Sequence, residues 1–186
     1  VNVHPGSSKN TMVNAALVAI EFNSMLPSAD TPRDTEEYEG FFHLDAMNGN
    51  VSTAMLDYII RDHDVASFDC RLKTMEHIAK ILNEKWGEGT VKLIITEQYR
   101  NMKEIIDTCM ELIDCATAAC KECGTPALIT PIRGGTDGAR LSFMGVPCPN
   151  LGTGGHAFHG PYEHITVEGM DIAVEVGLKI IELFYK

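Results

Sequence analysis

The sequence predicts an α/β protein in two parts, and the first part has the β-α-β-β-α-β order of a ferredoxin-like α+β domain. Two long apolar patterns of helical period lie among four strand patterns within residues 1–98, and Asn48 with Gly49 marks a hairpin between the middle two strands. Residues 99–186 follow the order α-β-α-β-α, which is typical of half a three-layer α/β domain.

The first part opens with a short strand, a turn and a helix. Residues 1–3 have the pattern of a strand end, and residues 4–8 contain the proline, glycine and serines of a turn that can cap a helix. We expect the helix over residues 9–25 and a polar loop over residues 27–37. Apolar side chains at helical spacing define the buried face of the helix: Met12, Val13, Ala16, Leu17 and Ile20.

A hairpin, a second long helix and a last strand complete the first part. Strands are predicted over residues 40–48 and 53–62, on either side of the turn that contains Asn48 and Gly49. A helix is predicted over residues 65–86, because apolar residues recur there at helical spacing and glycines follow it. The apolar run at residues 91–96 predicts the fourth strand.

The second part alternates helices with short strands. Helices are predicted over residues 102–123, 139–144 and 166–184, and strands over residues 127–132 and 148–151. Gly124 and Gly145 follow the first two helices as expected stop signals. Because two strands cannot form a well-covered parallel sheet, we expect some of this domain to be missing from the chain.

Size, charge and cysteine usage exclude several classes of protein. The chain has 186 residues and a net charge of −11, which argues against a nucleic-acid or anionic-membrane surface. No apolar run reaches the ~20 residues of a membrane span, and no leader pattern precedes Val1, so the chain looks cut from a longer one. Cys120 and Cys123 have CxxC spacing, but six small thiols in a reducing compartment explain the cysteines better, which predicts a cytoplasmic protein.

Residues 133–165 form the stretch richest in chemically active side chains. Arg133 precedes two glycines, where a rigidly held guanidinium suits the capture of a carboxylate; a surface arginine that neutralises Asp137 explains the pattern equally well. His159 follows a glycine-rich loop and is the first candidate for a metal ligand, although a lone histidine is more often not one. Glu163 either orients His159 or faces solvent.

Three further residues are candidates outside that stretch. His4 lies on a strand-to-helix turn, where capping is the ordinary role and contact with a developing oxyanion is the functional one. Arg61 opens a cluster of charges at a strand end, a pattern that usually marks a solvated face. Asn101 lies where the first part passes into the second, and ligands often bind between domains.

Six segments together resemble a known enzyme family. They read VNVHPGSSKNTMVNA, EGFFHLDAMNG, DYIIRDHD, YRNM, PIRGGTDGARLSFMGVPCPNL and FHGPYEHITVEGM. They resemble the co-catalytic zinc metallopeptidases and, within them, the tripeptide aminopeptidases of the peptidase T family. The resemblance covers almost the whole chain, and RGGTDGA followed by FHGxxEH is specific to this group.

The resemblance implies a role for each part of the chain. Residues 1–98 are expected to form the lid domain, which makes a homodimer, and residues 99–186 the C-terminal segment of the zinc-peptidase catalytic domain. His159 matches the family's C-terminal zinc ligand and Arg133 its substrate-binding arginine. His4 matches the lid histidine that reaches the partner's active site and stabilises the oxyanion, and Arg61 and Asn101 resemble contacts to the substrate carboxylate.

The implied activity is removal of the N-terminal residue from tripeptides with two zinc ions as cofactors. The other zinc ligands and the general base are expected in an upstream catalytic segment that this chain lacks, so the chain alone is expected to be inactive. The expected partners are a tripeptide substrate and a second copy of the chain, with no nucleic acid and no membrane. Two alternatives stay open: a non-catalytic dimerisation module derived from such a peptidase, and a related amidohydrolase acting on another amide.

Overall fold

A computed structural model describes residues 1–98 and 100–185 of the chain. Tyr99, the first residue of the YRNM segment, and Lys186 lie outside the described residues. The chain divides into two compact units, Val1–Glu97 and Gln98–Lys186. No helix in the described residues is both long enough and apolar enough to cross a bilayer.

The first unit consists of a short 3-10 turn, two helices and a hairpin. The 3-10 turn is Pro5–Ser7, and the regular elements are α1 (Ala15–Met25), β1 (Phe41–Gly49), β2 (Ala54–Arg61) and α2 (Val65–Trp86). The order of helices and strands gives a mixed α+β unit, as the sequence predicts.

Helix α1 begins at Ala15, and the prediction of a start at residue 9 was wrong. Asn14 is the N-cap, and its side-chain oxygen accepts hydrogen bonds from the backbone N–H groups of Ala16 and Leu17. Asn10 has a φ of 63°, a left-handed conformation that an α-helix cannot contain. The residues before Asn14 therefore form turns of their own.

The hairpin turn lies further along the chain than the asparagine–glycine pair predicts. Strands β1 and β2 pair antiparallel from Phe41 opposite Arg61 to Gly49 opposite Ala54, so Asn48 and Gly49 belong to the ladder. The Asn50 N–H donates to the Thr53 carbonyl at 2.7 Å. The Asn50 side-chain oxygen accepts from the backbone N–H groups of Ser52 and Thr53. The turn therefore forms at residues 50–53, where the Asn50 side chain stabilises it, and not at the Asn-Gly pair.

Helix α2 has the predicted bounds, Val65–Trp86. The Asp64 carboxylate caps it by accepting from the Ser67 N–H at 2.8 Å, and Gly87 follows with a φ of 108°. Leu82, at the centre of the core, has no exposed surface. The core contains residues of α1, β1 and α2 together with Leu26, the C-cap of α1: Val18, Phe22, Leu26, Phe42, Met75, Ile78, Ala79 and Leu82.

The outer two strands predicted for this unit are not formed. In the described residues the sheet contains only β1 and β2, and residues 1–3 and 91–96 lie outside it. The Val1 carbonyl accepts from the Val13 N–H at 3.1 Å. Both polar groups of the Val91 backbone are bonded to the Asn83 side chain, at 2.8 and 2.9 Å. These backbone groups thus make their hydrogen bonds to a side chain or to a loop residue, and not to a neighbouring strand.

The second unit is mainly helical. Its elements are α3 (Lys103–Ile106), α4 (Glu111–Glu122), α5 (Asp137–Phe143), β3 (Gly155–His156), β4 (His164–Ile165) and α6 (Val167–Tyr185). The predicted helix over residues 102–123 is broken into α3 and α4 by a turn in which the Thr108 hydroxyl donates to the Ile105 carbonyl at 2.7 Å. Gly124 and Gly145 stop α4 and α5 with φ values of 70° and 93°.

The strands predicted at residues 127–132 and 148–151 are not paired. In the described part of this unit the one sheet is the two-residue ladder of β3 and β4. Leu128 and Ile129 are 82% and 70% exposed, so the apolar segment has no sheet neighbour to cover it. Helices α4 and α6 pack together, and the Lys179 ammonium lies 3.5 Å from the Glu122 carboxylate between them.

Candidate functional site

The RGGTDGARLS segment is held by the chain that follows α5. Ser142 is buried; its hydroxyl donates to the Gly138 carbonyl at 2.8 Å and accepts from the Cys148 N–H at 2.9 Å. The Asn150 side-chain amide donates to the Thr136 hydroxyl at 3.1 Å, and that hydroxyl caps α5 by accepting from Ala139. These bonds tie both ends of α5 to residues 148–150.

Gly138 is required because residues 148–150 pass close to α5 at this position. A Cβ atom added at Gly138 would lie 2.5 Å from the Cys148 carbonyl oxygen. No side chain fits in this space without a backbone shift. The glycine therefore lets α5 meet residues 148–150, which is a structural role inside the motif.

Arg133 lies just before this braced helix and is half-buried. Gly134 and Gly135, which follow it, are exposed, and the space where a Gly134 side chain would stand is open. A small molecule can thus approach the backbone beside Arg133. A guanidinium next to a braced helix suits the bidentate binding of a carboxylate.

His159 lies in the turn of a small hairpin. Strands β3 and β4 pair Gly155 with Ile165, and the residues between them form compact turns. His159 is exposed and has a φ of 63°, a left-handed conformation that is uncommon outside glycine. The Glu163 carboxylate accepts a hydrogen bond from the His159 backbone N–H at 3.1 Å. Glu163 therefore fixes the backbone of His159.

His4 caps the 3-10 turn, as its position in the sequence suggests. Its Nδ1 accepts a hydrogen bond from the Gly6 N–H at 3.1 Å. A backbone N–H can only donate, so the proton of the neutral ring is on Nε2. The exposed ring therefore keeps a donor on Nε2, which is the group that an oxyanion would need.

Arg61 is the last residue of β2, and its Nη1 donates to the Ile60 carbonyl at 2.9 Å. The next residue, Asp62, is buried to 5% side-chain exposure, so the prediction of a solvated charge cluster was wrong at this position. The Arg71 guanidinium bonds Asp62 at 2.8 Å and Asp30 at 2.6 Å, and lies 5.1 Å above the Phe42 ring centre. Burial of Asp62 is tolerated because a guanidinium pairs with it.

The sequence gives no local signal for this network, because Asp30 and Arg71 are 41 residues apart. Asp62 and Arg71 are nine residues apart and lie on different elements. Gly40 leaves room for the network, since an added Cβ there would lie 2.1 Å from the Asp62 carboxylate. The network anchors the residue directly after Arg61.

Asn101 caps α3. Its side-chain oxygen accepts from the N–H of Lys103, the first residue of the helix, at 2.9 Å. Asn101, Arg133 and His159 belong to the second unit, and His4 and Arg61 to the first. Within the second unit, one hairpin brings together His156, His159, Glu163 and His164.

The described residues do not by themselves fit a zinc centre. Among residues 1–98 and 100–185, no three histidine, cysteine, aspartate or glutamate side chains converge on one point. Zinc sites in proteins normally use three or four such ligands. His159 alone therefore supplies at most part of a site.

The sequence has close relatives over its whole length. It is 51% identical over 185 residues to peptidase T of Alkaliphilus oremlandii and 52% identical over 185 residues to peptidase T of Clostridium novyi, and both alignments cover 100% of this chain. The chain is therefore similar to peptidase T proteins along its whole length. Residues 1–90 also match the profile of the peptidase dimerisation domain.

The peptidase T relatives are longer than this chain. The chain spans about half of their length, 45% of the Alkaliphilus protein and 46% of the Clostridium protein. The identity of about half of the residues over the whole chain confirms the resemblance inferred from the six segments.

Two solved structures share the fold. An aminopeptidase PepT from Bacillus cereus has a TM-score of 0.65, with 18% identity over 99% of this chain and 49% of that one. A tripeptidase from Staphylococcus aureus also has a TM-score of 0.65, with 18% identity over 97% of this chain and 48% of that one. The mixed α+β fold class is confirmed by these neighbours.

Proposed function

We propose that this chain is part of a zinc-dependent aminopeptidase that removes the N-terminal residue from tripeptides. The observation that carries the proposal is the identity of about half of all residues with peptidase T proteins over the whole chain. Because the chain spans about half of those proteins, the activity belongs to a longer protein and the chain alone is inactive.

In this proposal residues 1–98 form the lid and dimerisation domain, and residues 99–186 form the C-terminal segment of the catalytic domain. The match of residues 1–90 to a peptidase dimerisation domain supports the first assignment and a homodimer. The RGGTDGA and FHGPYEH segments, which lie in the second unit, support the second. A cytoplasmic location is proposed because all six cysteines are free thiols.

Arg133 and His4 have the most specific proposed roles in binding the substrate and in stabilising its transition state. Arg133 binds the tripeptide carboxylate, because it directly precedes two exposed glycines and the braced helix α5. His4 donates from Nε2 to the developing oxyanion in the partner's active site, because its Nδ1 is occupied by the Gly6 N–H. Arg61 and Asn101 are further contacts to the substrate carboxylate.

His159 is proposed as one ligand of the two zinc ions, with the remaining ligands and the general base in a part of the protein outside this chain. Zinc polarises a scissile carbonyl and lowers the pKa of bound water when it is present. The left-handed turn fixed by Glu163 holds the His159 backbone in place for such a role.

Arg133 provides the test of this function in the product of the complete gene. The change Arg133→Met is expected to lower kcat/KM for a tripeptide by about 10²-fold, since a charge-assisted bidentate contact contributes about 3 kcal/mol. Arg140→Met is the matched control, because Arg140 is an exposed arginine on α5, and it should leave kcat/KM within about twofold. Equal effects of the two changes would exclude Arg133 from substrate binding.

A non-catalytic dimerisation module is the second candidate function. The dimerisation-domain match and the lack of a three-ligand cluster in the described residues favour it. A complete gene product that dimerises but releases no amino acid from tripeptides, with or without added zinc, would identify this second function.

A further inference from the structure

Two histidines face each other across the β3–β4 ladder. His156 is directly opposite His164, and their rings stack with centres 5.3 Å apart and planes inclined at 26°. Both residues are exposed. Directly opposed residues of an antiparallel pair have Cβ atoms about 4.5–5.5 Å apart, so the ladder holds both imidazoles close together.

The tautomer of His164 is fixed by the backbone. Its Nδ1 lies 2.8 Å from the Tyr162 carbonyl oxygen, which can only accept, so Nδ1 carries the proton. The neutral ring then has its lone pair on Nε2. A histidine that donates one ring N–H to a carbonyl and keeps the other nitrogen free has the arrangement commonly found in metal ligands.

We propose that His156 and His164 form a cross-strand chelate for a divalent transition-metal ion of the class that prefers imidazole, such as Ni²⁺, Cu²⁺ or Zn²⁺. The ring separation supports this assignment. With metal–nitrogen bonds of about 2.1 Å, two imidazoles at neighbouring positions on one ion have ring centres about 5 Å apart. The observed 5.3 Å needs little change in the backbone.

Rotation of one ring completes the chelate. The rings are nearly parallel, so their Nε2 atoms do not yet point at one ion. His164 is held by Tyr162, whereas the terminal torsion of the exposed His156 has a broad energy minimum, and turning it aims its nitrogen at the ion held by His164.

Water occupies the other positions of the ion in this proposal. No third histidine, cysteine or carboxylate in the described residues converges with this pair. Glu163 is bonded to the His159 N–H. Two protein ligands make a chelate of moderate affinity, and the loss of either ring converts it to a single-ligand site.

The test is a calorimetric titration of the chain with NiCl₂ alone, since Ni²⁺ favours imidazole whereas Zn²⁺ also seeks thiolates. The changes His164→Phe and His156→Phe keep a stacking ring and remove one ligand each. Each is expected to weaken the tightest Ni²⁺ site by at least about tenfold, because the second contact acts at high effective concentration. His77→Phe, which alters an exposed histidine on α2, should leave that affinity unchanged.

Proton NMR of the unchanged chain keeps the test independent of variant folding. Substoichiometric Ni²⁺ is expected to broaden the ring protons of His156 and His164 before those of other histidines. The proposal is overturned if either ring change leaves the tightest affinity intact. It is also overturned if His159→Ala abolishes that site while His164→Phe does not, or if the two rings broaden last.

Discussion

At the scale of single residues, Tyr58 links the sheet to α1. Its hydroxyl donates to the Asn23 side-chain oxygen at 2.8 Å, and its ring centre lies 6.2 Å from that of Phe22. Burial raises the pKa of Tyr58 to about 12. The neutral phenol is thus more stable in the folded chain than in the unfolded one, where the pKa is about 10.

This shift predicts how stability depends on alkaline pH. Because the folded pKa is the higher, the stabilisation is complete below about pH 10 and is lost as the pH rises toward about 12. We expect the denaturation midpoint in urea to fall over this range, and to fall less steeply in Tyr58→Phe. Equal slopes for the two proteins would contradict the assignment.

Gly138 and Gly177 form a matched pair for a second prediction. Gly138→Ala is expected to lower the free energy of unfolding by about 1–3 kcal/mol, because the new Cβ would lie 2.5 Å from the Cys148 carbonyl. Gly177→Ala, in open space on α6, is expected to raise it by about 0.5–1 kcal/mol through helix propensity. Urea denaturation measures both, and destabilisation by both changes would contradict the local argument.

At the scale of elements, Asn83 replaces a strand neighbour for the segment after α2. Its side chain bonds the N–H and the carbonyl of Val91, so Asn83→Ala leaves two backbone groups without this partner. We expect a loss of about 1–3 kcal/mol in the free energy of unfolding. Glu84→Ala, one residue along and exposed, should change it by less than about 0.5 kcal/mol.

Hydrogen exchange of the Val91 amide locates this effect. The Asn83→Ala change should accelerate exchange at Val91 more than at Leu82, which lies in the core. Unchanged protection of Val91 would show that the Asn83 side chain does not hold the segment.

The elements that could be predicted are those whose signals are local. Helix α2 has its predicted bounds because Asp64 caps one end and Gly87 stops the other. The hairpin turn was misplaced because Asn50 makes a stronger turn than the Asn-Gly pair. The outer strand patterns are apolar enough for a sheet, but pairing depends on neighbours that a single segment does not specify.

The same distinction holds for the candidate site. Resemblance of the RGGTDGA and FHGPYEH segments singled out Arg133 and His159, and the structure adds the bracing by Ser142 and Glu163. The Asp30–Arg71–Asp62 network could not be predicted, since its members come from a loop, a helix and a strand end. Contacts of this kind arise only once the chain has folded.

At the scale of the whole molecule, the chain matches peptidase T proteins at about half of its positions but spans about half of their length. The second unit leaves large apolar side chains exposed, among them Leu128, Ile129, Leu178 and Ile181. Faces of this kind normally contact another part of a protein. These exposed faces agree with our proposal that catalysis belongs to a longer protein, in which this chain forms the lid and the end of the catalytic domain.

Tripeptide hydrolysis tests this central claim most directly. The release of the N-terminal amino acid would be measured with added zinc for the 186-residue chain and for the product of the complete gene. We expect the complete product to hydrolyse the tripeptide and the chain alone not to do so. A chelator should abolish the activity of the complete product, and His159→Ala should lower it at least about 10²-fold. Zinc-dependent hydrolysis by the chain alone, or full activity of His159→Ala, would contradict the claim.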